Sequence, residues 1–216
     1  MNITKYGHSC LLIEEDDARI LIDPGAWSEG HTTLTDIDAI LITHEHLDHC
    51  DPESLQQILR LNKDAIIYTN DGVGKKLVEA GILFTRFVDG HSLRVKGVLV
   101  EGFGKDHAII YPTFPHWDNT GFLIAERFFH PGDAVDIIPT KPVEILALPV
   151  VAPWMRMADA LDWAKKIKPK FVFPIHDGML KITGPFHNLP KQVLGAEGIV
   201  VEILEHGIPC AYTGIL

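Results

Sequence analysis

The chain has 216 residues, of which 46% are hydrophobic and 22% charged, the profile of an ordinary globular protein with room for one substantial core. Its formal net charge of −10 disfavours general binding to nucleic acid, and no apolar run approaches the roughly 20 residues that cross a bilayer. The opening Met1-Asn2-Ile3-Thr4-Lys5-Tyr6-Gly7-His8 lacks the charged start and long apolar stretch of a secretory signal, so a cytoplasmic protein with no membrane attachment is expected.

Short apolar runs separated by turn residues predict strands at 3–6, 10–14 and 18–22, with Glu15-Asp16-Asp17 turning the chain between the last two. The run 39–42 is apolar throughout and stops abruptly at Thr43-His44, as a buried strand delivering a loop would. Asp51-Pro52 then opens a helix, with Asp51 as cap, Pro52 in the first turn and Leu55, Ile58 and Leu59 on one face. A strand at 65–68, a helix at 72–80 ending at Gly81 and a strand at 85–88 follow. Residues 91–95 and 98–104 form a hairpin turned at Lys96-Gly97, and 121–125 with 127–130 a second one.

Further along, 145–148 is a strand, 155–167 a helix with Ala158, Leu161, Ala164 and Ile167 facing inward, and 171–175 the next strand. A helix at 189–197, a strand at 199–204 and a short strand near 210–212 complete the chain. No repeat, low-complexity block or linker divides it, so residues 1–216 are read as one domain. Two sheets packed face to face, with helices on both outer faces, is the natural arrangement.

Composition flags histidine: there are 12, several beside Asp and Gly. His44-Glu45-His46-Leu47-Asp48-His49 sets three imidazoles and a carboxylate directly after a buried strand. In an extended loop His44 and His46 project to one side and can grip one cation, while Asp48 and His49 reach a second. Imidazole with carboxylate suits zinc, manganese or iron. Two coordination spheres need more ligands, and three candidates stand after later strands: His107, Asp133 in Pro131-Gly132-Asp133, and His176 after Phe171-Val172-Phe173-Pro174-Ile175. The three cysteines, Cys10, Cys50 and Cys210, contain no C-x-x-C pair and read as small buried hydrophobes.

With these residues the chain resembles the metallo-β-lactamase-fold superfamily of metallohydrolases along essentially its whole length. Gly7-His8-Ser9-Cys10, Ile22-Asp23-Pro24 and Pro174-Ile175-His176 look like the compact bacterial branch related to L-ascorbate-6-phosphate lactonase. The resemblance implies a four-layer αββα sandwich of two mixed β-sheets flanked by helices. It places His44, His46 and His107 on one metal, Asp48, His49 and His176 on a second, and Asp133 between them. His116 is a rival to His107, which is preferred because it directly follows a strand.

The implied cofactors are two divalent ions, zinc first, with manganese or iron as alternatives. Such a pair holds and acidifies a bridging water, giving a hydroxide that cleaves an ester, lactone, amide or phosphoester bond of a small molecule. An anionic substrate is compatible with it. Asp48 is assigned to orienting the nucleophile and relaying its proton. Asp23 is either a hydrogen-bond partner of a ligand histidine or a turn former; His8, Trp154 and Arg156 are weighed as site or structural residues. The alternative function is a mono-iron oxidoreductase of the thiol or persulfide dioxygenase type. A nuclease fits the acidic composition poorly, and a fold that has lost catalysis fits poorly with a full ligand set. The oligomeric state is left open.

Overall fold

The computed structural model describes residues 1–213. Strands β1 (Asn2–Lys5), β2 (Leu11–Glu15) and β3 (Ala18–Ile22) make an antiparallel meander. Parallel strands β4 (Ala39–Ile42), β5 (Ile66–Thr69) and β6 (Thr85–Arg86) extend it, connected by α1 (Pro52–Leu61) and α2 (Asp71–Glu79). The chain then forms β7 (Ser92–Val95), β8 (Val98–Phe103), β9 (Gly121–Ile124) and β10 (Phe128–His130), each antiparallel to the one before. Parallel strands β11 (Ile145–Pro149), β12 (Phe171–Ile175) and β13 (Val200–Val201) follow, joined by α3 (Met157–Ile167) and α4 (Gly184–Gly195). The last strand, β14 (Cys210–Ala211), returns to pair with β1.

The result among the described residues is two seven-stranded mixed sheets, ordered β14-β1-β2-β3-β4-β5-β6 and β13-β12-β11-β10-β9-β8-β7. Ile13, Ile20 and Leu41 of the first sheet meet Phe122, Phe128 and Phe173 of the second in the central core. The alternate residues Leu12, Leu21 and Ile40 turn outward onto Leu55 and Ile58 of α1 and Leu77 of α2. Leu146 and Leu148 likewise meet Leu161 and Trp163 of α3 and Leu194 of α4. Strands covered on both faces need no polar alternation, which is why 39–42 reads as one apolar run. This is the expected αββα sandwich. No helix among the described residues is long and apolar enough to cross a membrane.

Local chemistry shapes the elements as the sequence indicates. Asp51 caps α1 by accepting from the backbone N–H groups of Glu53 and Ser54 at 3.3 and 3.1 Å. Lys96 and Gly97 both take positive φ, 45° and 92°, as the two-residue turn between β7 and β8 requires. Pro174 sits in β12 because β13 pairs only with Phe171 and Val172, so on that side the missing N–H leaves no ladder bond unmade.

Several expectations need correction. The last helix starts at Gly184 rather than 189, and it continues through Pro190, which packs inward with Leu194; burial outweighs the lost hydrogen bond. The strand expected at 199–204 shrinks to two residues, as does the one at 85–88. In α3, Ala158 is exposed, and Ala160 and Trp163 take the inward face with Leu161 and Ala164. Of the cysteines, Cys10 and Cys50 are buried and Cys210 only partly so, and none is paired.

Candidate metal centre

Strand direction explains where the polar residues gather. In the first sheet β1 and β3 run the same way as β4, because each antiparallel step reverses direction. In the second sheet β8, β10, β11 and β12 share one direction for the same reason. The candidate residues all follow the C-terminal ends of such strands: His8 after β1, Asp23 after β3, His44 to His49 after β4, His107 after β8, Asp133 after β10 and His176 after β12. They meet at one rim of the sandwich.

Two groups result. His44, His46, His107 and Asp133 each offer one nitrogen or oxygen, all within 4.8 Å of one another, and so do His8, Asp48, His49 and His176. Asp133 faces both: its Oδ2 lies 3.3 Å from His107 Nε2 and 3.1 Å from His176 Nε2, and its Oδ1 3.3 Å from His49 Nε2. The structure therefore brings together every residue the sequence nominated. His116 is exposed and belongs to neither group.

The second ring nitrogen fixes the tautomer of each buried imidazole. His107 Nδ1 donates to the carbonyl of Ala108 at 2.5 Å and His176 Nδ1 to that of Val151 at 2.6 Å. His49 Nδ1 donates to Asp23 Oδ2 at 2.8 Å. The Thr43 hydroxyl spends its proton on Asp23 Oδ2 at 2.8 Å, so it can only accept from His44 Nδ1 at 3.0 Å. In each case Nε2 is turned into the cluster.

There His44 Nε2, His49 Nε2, His107 Nε2, His176 Nε2 and Asp133 Oδ1 are buried without a hydrogen-bond partner. Each orphaned buried polar atom costs about 1–3 kcal/mol, so five in one place make a poor hydrogen-bonded core. As a set of nitrogen and oxygen donors they fit divalent cations.

His8 is the member that sequence reasoning under-rated. Its Nδ1 accepts from the Gly178 N–H at 3.2 Å, so Nε2 carries the proton and donates to Asp48 Oδ2 at 3.1 Å. By distance it belongs to the second group; by hydrogen bonding it holds Asp48. Its carbonyl also accepts from the His176 N–H at 3.0 Å, tying the two sheets together at the rim. Only the position of Gly7-His8 beyond a strand end hinted at this.

Electrostatics follow from burial and from three carboxylates. Burial holds His44 well below the ordinary imidazole value and brings His46 and His8 to about 4, so these rings are neutral at pH 7. Burial also opposes a charge on His49, but Asp133, Asp23 and Asp48 outweigh it and raise that ring to about 9. Burial works against ionisation of Asp48, yet the His8 hydrogen bond and the nearby His49 take it down to about 2.

The loops are held for this purpose. Asp23 satisfies both readings made of it: it takes a positive φ of 47° in the turn, and it accepts from Thr43 and His49. A side chain at Gly25 would lie 1.9 Å from the Asp48 carbonyl oxygen, so only glycine lets that turn pack on the histidine loop. Asn119 accepts from the Asp133 N–H at 3.0 Å and donates to the Pro131 carbonyl at 2.9 Å, clamping the Gly132-Asp133 corner. Trp154 donates its indole N–H to Asp133 Oδ2 at 3.0 Å, while Arg156 pairs with Asp159 on the surface. His130 is buried beneath the rim, bonded to the Ser9 carbonyl.

Residues 2–176 match the family model of the Beta-lactamase superfamily domain. Protein Rv0786c of Mycobacterium tuberculosis is 36% identical over 185 residues, covering 83% of this chain and 85% of its own. The UPF0173 metal-dependent hydrolase MJ1163 of Methanocaldococcus jannaschii is 26% identical, covering 94% and 98%. A crystallised candidate metal-dependent hydrolase from Parabacteroides distasonis superposes with a TM-score of 0.76 at 27% identity, covering 94% of this chain and 92% of that one.

Proposed function

The chain belongs to the beta-lactamase superfamily of metal-dependent hydrolases, and from that premise we propose that it works with two divalent cations side by side. His44, His46 and His107 hold one, Asp48, His49 and His176 the other, with Asp133 shared, and the bond cleaved is an ester, lactone, amide or phosphoester of a small molecule. The observation that carries this reading is the set of five orphaned donor atoms, one on Asp133 and four on imidazoles divided between its two sides. Orphans confined to one side would favour the mono-iron alternative. Zinc is the first expectation, and manganese or iron suits the same donors.

When bound, such a pair supplies Lewis acidity for the substrate oxygen and an acidified water. The protein does the rest. Trp154 and Asn119 hold Asp133 in place between the two groups. Asp48, 14% exposed against 3% for Asp133, is the carboxylate an incoming water can reach. With Oδ2 fixed by the His8 N–H, the Asp48 carboxylate orients that water and takes its proton. The half-buried ring of Trp154 stands 5.8 Å from His107 and 6.1 Å from His176.

Elemental analysis of protein purified without added metal tests the reading. About two zinc or manganese ions per chain, lost in a His46→Ala, Asp133→Ala double variant, is the expected result. One iron per chain would turn the assignment to oxidation chemistry, and no metal under any reconstitution would overturn it. Asp48→Asn, with both metals supplied at saturation, should lose turnover; full turnover with both metals in place would remove the proton role of Asp48.

A further inference from the structure

Of the candidate ligands, His44, His49, His107, Asp133 and His176 are buried, and only His46 and Asp48 are partly open to solvent. A substrate must therefore approach over these two; Glu45 stands beside His46 in the chain and Asp118 beside Trp117, but the large side chains packed on the rim are apolar. Trp117 packs edge-on against His46 at 4.8 Å between ring centroids. Leu47, between the two ligands in the chain, is 54% exposed. Beside Asp48, Trp27 packs edge-on at 4.9 Å against His8, the residue that holds the carboxylate, and is 47% exposed.

The aromatic surface continues outward. Phe114 stands 6.4 Å from Trp117 and Tyr111 5.9 Å from Phe114, both more than half exposed. This is a run of rings from solvent to a candidate ligand, continuous with the place where the reaction occurs. Two nearby cations are engaged elsewhere, Lys76 with the Glu45 and Cys50 carbonyls at 2.9 and 2.8 Å and Arg156 with Asp159, while Lys105, two residues before His107, is exposed.

We infer that the substrate of this centre carries an uncharged hydrocarbon group, alkyl or aryl, which lies on Trp117 and Phe114 while the scissile bond sits over His46 and Asp48. The inference rests on the hydrolase reading and narrows its substrate class. Indole and phenyl faces favour flat or apolar groups and offer nothing to a phosphate. A phosphorylated, sugar-like substrate is therefore a poor fit.

The test uses carboxylates, the products of ester and lactone hydrolysis, titrated calorimetrically into metal-loaded protein whose metal content is measured in the same sample. Octanoate, acetate and 6-phosphogluconate are the probes. Each methylene seated on the rim is worth about fourfold in affinity, so octanoate should bind at least about tenfold tighter than acetate. Trp117→Ala and Phe114→Ala should reduce that ratio to about threefold or less with metal content unchanged. Leu83→Ser, at a 91% exposed leucine near the opposite end of the first sheet, should leave the ratio as it is.

Equal affinity for acetate and octanoate, or tightest binding of 6-phosphogluconate, would overturn the inference. So would a Leu83→Ser effect as large as that at Trp117, which would mark general stickiness. A sample that takes up no metal would instead overturn the hydrolase reading beneath it.

Discussion

An imidazole ligates through the nitrogen that has no proton, so the partner of its other nitrogen decides whether it can serve. Asp23 does this for His49 directly and for His44 through the Thr43 hydroxyl. Asp23→Asn keeps the shape but loses the charge, and metal affinity should fall by about 10–100-fold with the fold intact. A competition titration with a chromophoric chelator measures this, and unchanged affinity would make Asp23 a turn residue only. The chain carries this position visibly in Asp-Pro-Gly, but which histidine it serves depends on β3 lying beside β4.

His49 adds a pH dependence. Its ordinary value of about 6.5 is raised to about 9 in the metal-free chain by Asp133, Asp23 and Asp48, so a cation must displace a proton below that pH. His8 and His46 at about 4 and the depressed His44 impose no such competition near neutrality. Metal affinity should tighten about tenfold per pH unit as pH rises through 6–8, levelling near 9. At least one proton should be released per chain loaded at pH 7. A flat profile would show that His49 is already neutral.

Among the elements, the loop between β4 and α1 matters most, because it holds four of the seven nominated ligands between a buried strand and a capped helix. The turn after β3 presses on it at Gly25 with no room for a methyl group. Gly25→Ala must push the Asp48–His49 backbone aside, costing on the order of 1–3 kcal/mol. Thermal melting together with metal content checks the expectation that the sites holding Asp48 and His49 are lost first. Wild-type metal content in a destabilised variant would place the strain elsewhere. The start and cap of α1 were readable because Asp51-Pro52 acts locally. The start of α4 was not, because Pro190 signals a helix start and only packing against α3 and the sheet carries the helix across it.

For the whole molecule, the proposed ligands come from both sheets, so cations at the rim act as a cross-link between the two halves of the sandwich. A site held at about a thousandfold above its dissociation constant adds about 4 kcal/mol to stability. Chelation should therefore lower the melting temperature on the order of 10 °C in a chain of this size, and zinc or manganese should restore it. A melting temperature indifferent to chelator would contradict a metal held between the sheets.

Some of this was decided along the chain itself. Local spacing put three histidines and an aspartate into one six-residue loop, apolar runs marked buried strands, and turn residues marked most of the corners. Those features act over a few residues, where covalent geometry limits what the backbone can do. What depended on tertiary structure was everything joined across the fold: that six strand ends point to one rim, that His8 holds Asp48 from the first strand, and that Trp27 and Trp117, far apart in the chain, pack on His8 and His46. Strand pairing sets direction and neighbours, and pairing is a property of the packed sheets rather than of any one segment.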